Sequence, residues 1–159
     1  MVEHAAVPSI VDHAVLLEEL LIAEQRLGTL TLPLRDRGPQ EAFLHGHCHQ
    51  KAFDAMGATR EILAMVPGLA VDVVESSCCG MAGSFGYEAA HYDISMRMAE
   101  LALLPAVRAA DPATLIVADG TSCRHQILDG TRESGRREAV HVARVLARAI
   151  DAARAPPRP

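Results

Sequence analysis

The sequence predicts an α/β fold, a mainly parallel sheet flanked by helices with cysteine loops at the C-terminal ends of the strands. Three observations lead there. From residue 42 onward, short apolar runs alternate with helical stretches. The chain has 159 residues, 50% hydrophobic and 22% charged, which suits one packed domain and excludes wholesale disorder. Each of three cysteine-bearing segments directly follows a predicted strand, the place where ligands gather in parallel sheets.

In chain order, residues 1–28 read as a linker helix. Pro8-Ser9 followed by Asp12 makes a capping-box-like start with Ser9 as N-cap. Ile10, Ala14, Leu17 and Leu21 then fall at helical spacing, and Gly28 is the stop. Residues 29–34 alternate as a short strand or extended linker, and Pro33 argues against a central strand. Residues 42–45 form a strand leading into His-Gly-His-Cys-His. Residues 50–56 and 59–66 are helices broken at Gly57, and residues 69–74 are a β-branched strand.

A small-residue loop occupies 76–86. A helix lies within 87–109, with Ala90, Ile94, Met98 and Leu101 as its apolar stripe. Residues 114–118 are another buried strand and 121–128 a short helix. The last helix spans 138–153, with Val142, Val145, Leu146 and Ala149 on one face. The tail 154–159 is expected to be disordered. The domain division is thus a linker helix over 1–28, a single domain over 29–153, and that tail.

Composition narrows the function. The formal net charge of −5, without a long basic run, argues against nucleic acid as a partner. No apolar run approaches the roughly 18 residues of a membrane-spanning helix, so direct membrane insertion is not expected. The start Met1-Val2-Glu3-His4 lacks a basic region followed by an apolar one, which gives a cytoplasmic expectation. In that compartment four cysteines are better read as ligands or redox thiols than as structural disulfides.

Cys48 follows the strand at 42–45, Cys78 and Cys79 follow 69–74, and Cys123 follows 114–118, so distant segments converge on one rim. Thiolate is the soft ligand that suits iron–sulfur clusters, zinc and Cu(I). Gly80, Gly83 and Gly86 let the loop turn tightly and approach a bound group. The adjacent pair Cys78-Cys79 reaches one small ion only if the backbone bends, a demand that a multi-iron cluster relaxes.

Competing readings are buried cysteines acting as small hydrophobes, a strained Cys78–Cys79 disulfide, and a zinc site drawing on His47, His49 and His125. His45, His47 and His49 alternate along an extended segment and would share a face. There they could ligate, donate to sulfur or pass a proton, or simply bond backbone carbonyls. His4, His13, His91 and His141 read as surface residues, and Met81, Met96 and Met98 as packing.

No GxGxxG or GxxxxGK[ST] motif is present, and Gly80-x-x-Gly83-x-x-Gly86 has the wrong spacing for either. A Cys–His hydrolase built on Cys48 or Cys79 leaves the other thiols unexplained. The C-x2-C-x2-C-x3-C-P run of ferredoxins is absent.

Three segments carry a resemblance: His-Gly-His-Cys48-His-Gln, Glu-Ser-Ser-Cys78-Cys79-Gly80-Met-Ala-Gly, and Asp-Gly-Thr-Ser-Cys123-Arg-His-Gln. Together they resemble the CCG (cysteine-rich) domain family, which includes a subunit of heterodisulfide reductase and the iron–sulfur subunit of glycolate oxidase. Over residues 13–147 the likeness runs to the C-terminal part of FAD-linked D-lactate or D-2-hydroxyglutarate-type dehydrogenases.

The resemblance implies an iron–sulfur cluster of 4Fe–4S type held by Cys48, Cys78, Cys79 and Cys123, with zinc as the alternative. Gly80 and Gly83 would shape the loop, and His47, His49 and His125 would surround the metal ligands. FAD would sit only on a partner, a flavoprotein or ferredoxin-like domain or subunit, and this chain would not oxidise a substrate alone. The family motif ends C-x-x-C, and Gly120 stands at the first of those positions, which leaves the cluster type open. A zinc-stabilised interaction domain without redox role is the second expectation. A remnant fold that binds nothing, whose exposed apolar surface favours aggregation or pairing as a homodimer, is the third.

Overall fold

The computed structural model describes residues 13–36, 38, 40–76 and 78–150. The expected cap at Ser9, the last helix beyond residue 150 and the tail 154–159 lie outside the described residues.

Four strands make one parallel sheet among the described residues: β1 (Gln40–His45), β2 (Leu69–Val73), β3 (Leu115–Ala118) and β4 (Ala139–Val140), in the order β2-β1-β3-β4. The helices are α1 (Leu17–Arg26), α2 (Cys48–Ala52), α3 (Met56–Ala64), α4 (Tyr92–Glu100), α5 (Leu103–Ala109), α6 (Thr121–Gly130) and α7 (Val142–Ala149). Single 3₁₀ turns at Phe85–Tyr87 and Ala89–His91 precede α4.

The two-residue period of the strands separates two cores. Ala42 and Leu44 of β1 and Val117 of β3 face one side, where Ile22 of α1, Ile62 and Leu63 of α3, and Val145 and Leu146 of α7 pack on them. Ile116 and Ala118 of β3 face the other, against Leu103 and Val107 of α5 and Ile127 of α6. Leu44, Ile62, Leu63, Leu103, Leu104 and Ile127 are essentially inaccessible. Each contributes roughly 1.5–3 kcal/mol by leaving water.

The α/β class stands as expected, and several elements differ in detail. α1 turns Glu18 and Ile22 inward, whereas Leu17 and Ala14 are exposed. Its N-cap is Leu16, whose amide donates to Glu19 Oε2 at 2.7 Å. Gly57 does not break the chain but lies within α3; the break falls at Phe53–Ala55, where Asp54 takes φ 55°. Asp tolerates that left-handed conformation better than most residues do.

The helix expected within 87–109 divides into α4 and α5. Its stripe of Ala90, Ile94, Met98 and Leu101 faces outward, with Leu101 79% exposed. Ser95 and Ala99 face inward instead, because small side chains let α4 sit close to the loop and α6. The last helix begins only at Val142, since Ala139 and Val140 extend to pair with Ile116 and Val117. No helix among the described residues is long and apolar enough to cross a membrane.

Candidate metal centre

The parallel register brings three strand ends level. His45, the last residue of β1, pairs with Ala118, the last of β3, and the Val74 amide donates to the Leu44 carbonyl at 2.9 Å. The chain therefore leaves β1, β2 and β3 along one edge, and the cysteine segments follow from it.

Alternation along β1 sends His45 to the opposite face from Leu44, into the core that holds Cys79 and Cys123. His45 is 1% exposed, and its Nδ1 lies 2.9 Å from Ser76 Oγ. The Cys123 thiol donates to Cys79 Sγ at 3.3 Å. One ligand atom from each of His45, Cys79 and Cys123 lies within 4.8 Å of the others, and all three residues are buried.

This hydrogen bond from Cys123 is the main reason that the Cys79 thiol is held well below its ordinary value. His45 and the Met81 amide act in the same direction, against burial. The same bond, together with burial, pushes Cys123 upward. The pair thus favours one thiolate and one thiol, and the nearby Cys48 and Cys78 sulfurs push Cys123 further up. A buried, electron-rich sulfur pair with an imidazole beside it fits a soft metal or an iron–sulfur centre.

The other expected residues take distinct places. Cys48 is exposed at the first turn of α2, and Cys78 is half-buried with its sulfur accepting from the Gly80 amide at 3.3 Å. Gly80 has φ 91°, and a Cβ there would fall 2.1 Å from the Ser95 carbonyl oxygen, so the position admits only glycine without rearrangement. Gly83 also has positive φ but opens onto free space.

His47 caps α2, its Nδ1 accepting from the His49 amide at 3.3 Å. Burial, and then His49, hold His47 below its ordinary value, which favours the neutral ring. A Cβ on Gly120 would lie 2.4 Å from His47 Cδ2 and 2.9 Å from Cys123 Sγ, so the bare glycine lets the imidazole lie beside the thiols.

His49 is exposed, its ring centroid 5.0 Å from that of His47. His125 is exposed on α6, and its Nδ1 meets the Tyr87 hydroxyl at 2.7 Å. Because α2 begins at Cys48, His45, His47 and His49 do not share one face; the extended run ends before His49.

Two interactions pin the rim. The Lys51 ammonium donates to the Ser76 carbonyl, tying α2 to the loop after β2. Gln50 accepts from the His47 amide at 3.0 Å and donates to Asp119 Oδ2 at 2.9 Å.

The residue pattern alone does not separate His45 from His47 and His49, and it leaves His45 outside the expected ligand set. Its place at the inward-facing end of β1 is the signal that singles it out. The pattern also gives no hint of a second group, Glu18, Asp119 and His141, whose members come from α1, the residue after β3 and the start of α7. A cleft of about 740 Å³ opens on that group, and His47, His49 and Gly120 line it too.

The chain is 33% identical over 99 residues to one subunit of the anaerobic glycerol-3-phosphate dehydrogenase of Escherichia coli, in strains K12 and O157:H7. That stretch covers 61% of this chain and 24% of the relative. It is 32% identical over 93 residues to D-2-hydroxyglutarate dehydrogenase of Escherichia coli K12, covering 56% of this chain and 9% of that protein. The chain therefore spans about a quarter or less of the length of these curated relatives. No family model matches it. No solved structure matches it either.

Proposed function

We propose that this chain is an electron-transfer domain of the CCG type, in which Cys48, Cys78, Cys79 and Cys123 hold an iron–sulfur cluster. It would serve an oxidoreductase whose flavin lies on a partner domain or subunit. The observation that carries this reading is the buried Cys79–Cys123 pair, 3.3 Å apart at the rim where three strand ends meet. Similarity to parts of two dehydrogenases supports the same direction.

Bound there, an iron–sulfur cluster supplies one-electron transfer without proton chemistry of its own. The chain's residues do the rest. Cys79, already biased towards thiolate, offers a ready ligand. His45 is held by Ser76, and with Met81 it closes the buried side. Gly80 bends the backbone so that its amide donates to Cys78 Sγ, a contact of the kind that tunes a cluster's potential. His47 lies beside Cys123 across Gly120, while His49 and His125 sit further out on the exposed side.

A second reading rests on the compact trio of His45, Cys79 and Cys123. Three N/S donors within 4.8 Å, completed by Cys48 or Cys78, suit a single zinc ion. Iron and acid-labile sulfide, measured on protein purified without oxygen beside its visible spectrum, separate the two. Several irons with matching sulfide, lost in Cys79→Ala, are expected. One zinc and no sulfide would replace electron transfer with a structural role.

A further inference from the structure

Beside the rim, where α1 and α7 pack on the sheet, three acceptor groups converge at the cleft that His47 and Gly120 also line. Glu18 is 4% exposed, and no side chain among the described residues donates to it; its carboxylate accepts from its own backbone amide. Asp119 has one N–H on each oxygen, from Val142 on Oδ1 at 2.9 Å and from Gln50 on Oδ2 at 2.9 Å. His141 Nδ1 accepts from the Ala143 amide at 3.1 Å and lies 3.6 Å from Asp119 Oδ1. With the Nδ1 lone pair taken by that amide, Nε2 is the ring atom left to ligate.

Ligand atoms of the three residues lie within 4.8 Å of one another. Two carboxylates thus meet beside an imidazole in a half-enclosed space, and a cation between them would relieve their repulsion.

Among the described residues, the nearby Arg124 and Lys51 are engaged elsewhere. Glu19 adds a further negative charge at the cleft wall. The Arg124 guanidinium donates to the backbone oxygens of Ala118 and Asp119, at 3.0 and 2.6 Å, and to the Thr121 hydroxyl. Lys51 is engaged at the Ser76 carbonyl. His49 and His47 line the same cleft.

We infer that Glu18, Asp119 and His141 form a second site, for a divalent first-row cation such as Mn²⁺, entered through the cleft and separate from the thiol centre. Two carboxylates and an imidazole match the mixed oxygen and nitrogen preference of these ions. Carboxylate oxygens accept an N–H and a metal together, so the Val142 and Gln50 bonds persist on loading. The Glu18 carboxyl is pushed above its ordinary range by burial and by Asp119, the strain that a cation would relieve.

The test is Mn²⁺ titration of the full, metal-free chain, with free ion read by electron paramagnetic resonance and stability read by thermal melting. Mn²⁺ has little liking for thiolate, so the cysteines do not compete. One bound Mn²⁺ per chain and a rise in melting temperature are expected. Affinity should fall at least tenfold, and the melting rise should shrink, in Glu18→Gln and in His141→Asn, the latter keeping a side chain able to cap α7. The inference is overturned by no saturable binding of Mn²⁺, or by binding that both variants leave unchanged. It is also overturned if Glu18→Gln stabilises the chain while the wild type takes no ion, because a shared proton then fills the gap. Loss of iron at the thiols leaves the predicted Mn²⁺ binding in place, so the two sites fail independently.

Discussion

Gln50 and Asp119, 69 residues apart in sequence, are joined by a 2.9 Å hydrogen bond between the first turn of α2 and the residue that follows β3. The same Gln50 side chain accepts from the His47 amide at 3.0 Å. One amide group therefore holds together the cap of the cysteine-bearing α2 and the carboxylate at the cleft. Gln50→Leu keeps the volume and leaves both partners unanswered, at about 2 kcal/mol. A fall of that size in unfolding free energy, read by urea titration, checks it.

Gly80 and Gly83 both have positive φ, and they should differ in tolerance. Alanine at Gly80 meets the Ser95 carbonyl oxygen at 2.1 Å, and alanine at Gly83 meets nothing within 4 Å. Gly80→Ala should cost roughly 2–5 kcal/mol, from overpacking added to conformational strain. Gly83→Ala should cost roughly 1–2 kcal/mol from conformation alone. Equal costs in chemical denaturation would refute the close approach of the loop to α4.

In the metal-free chain Cys79 and Cys123 are placed to pair. Mild oxidation of the metal-free chain by diamide is expected to form a Cys79–Cys123 disulfide, with loss of two hydrogens, ahead of any bridge through exposed Cys48. Peptide mass spectrometry identifies the bridge. A dominant Cys78–Cys79 bridge would contradict the 3.3 Å pairing.

The pH dependence of the metal-free chain follows from Glu18. Burial, opposed by its own amide and aided by Asp119, raises its carboxyl above the ordinary value, so the folded chain holds that proton more tightly than the unfolded chain. The resulting stability is present below the unfolded value and is lost as pH rises through the folded one. Glu18→Gln should therefore raise the melting temperature near neutral pH and change little in acid. A gain of about 2–4 °C corresponds to roughly 1 kcal/mol in a chain of this size. Calorimetry in chelator at both pH values measures the difference.

The register of α4 and α5 can be checked by truncation. Leu103→Ala, at a fully buried position, should cost about 2–5 kcal/mol. Leu101→Ala, 79% exposed, should stay within about 0.5 kcal/mol. Similar losses at both would restore the stripe that helical periodicity predicts.

These contrasts show what the amino-acid pattern carries. β2 and β3 are legible from their β-branched apolar residues and β1 from its short apolar run, and their order places the cysteine segments on one edge. The inward face of α4 is not legible, since Ser95 and Ala99 are chosen for closeness rather than hydrophobicity. β4 has only two residues, too few for any period, and it exists because β3 offers it an edge. Asp54 sets the break between α2 and α3 through its backbone conformation, which composition does not advertise. At the site, the rim is legible and its partners are not. His45 reaches the sulfurs through strand alternation, and Glu18 meets His141 only once α1 and α7 have packed on the sheet.

The strand order β2-β1-β3-β4 also dictates when the proposed metal centre can come into being. β1 is flanked by strands that lie later in the chain, so Cys48 emerges long before the segments bearing Cys79 and Cys123. Parallel pairing of this kind carries a large loop-closure penalty and forms slowly. Loading is thus expected to be the final event of biogenesis, after β3 has docked. A chain cut short before residue 115 would display Cys48, Cys78 and Cys79 without the fourth thiol.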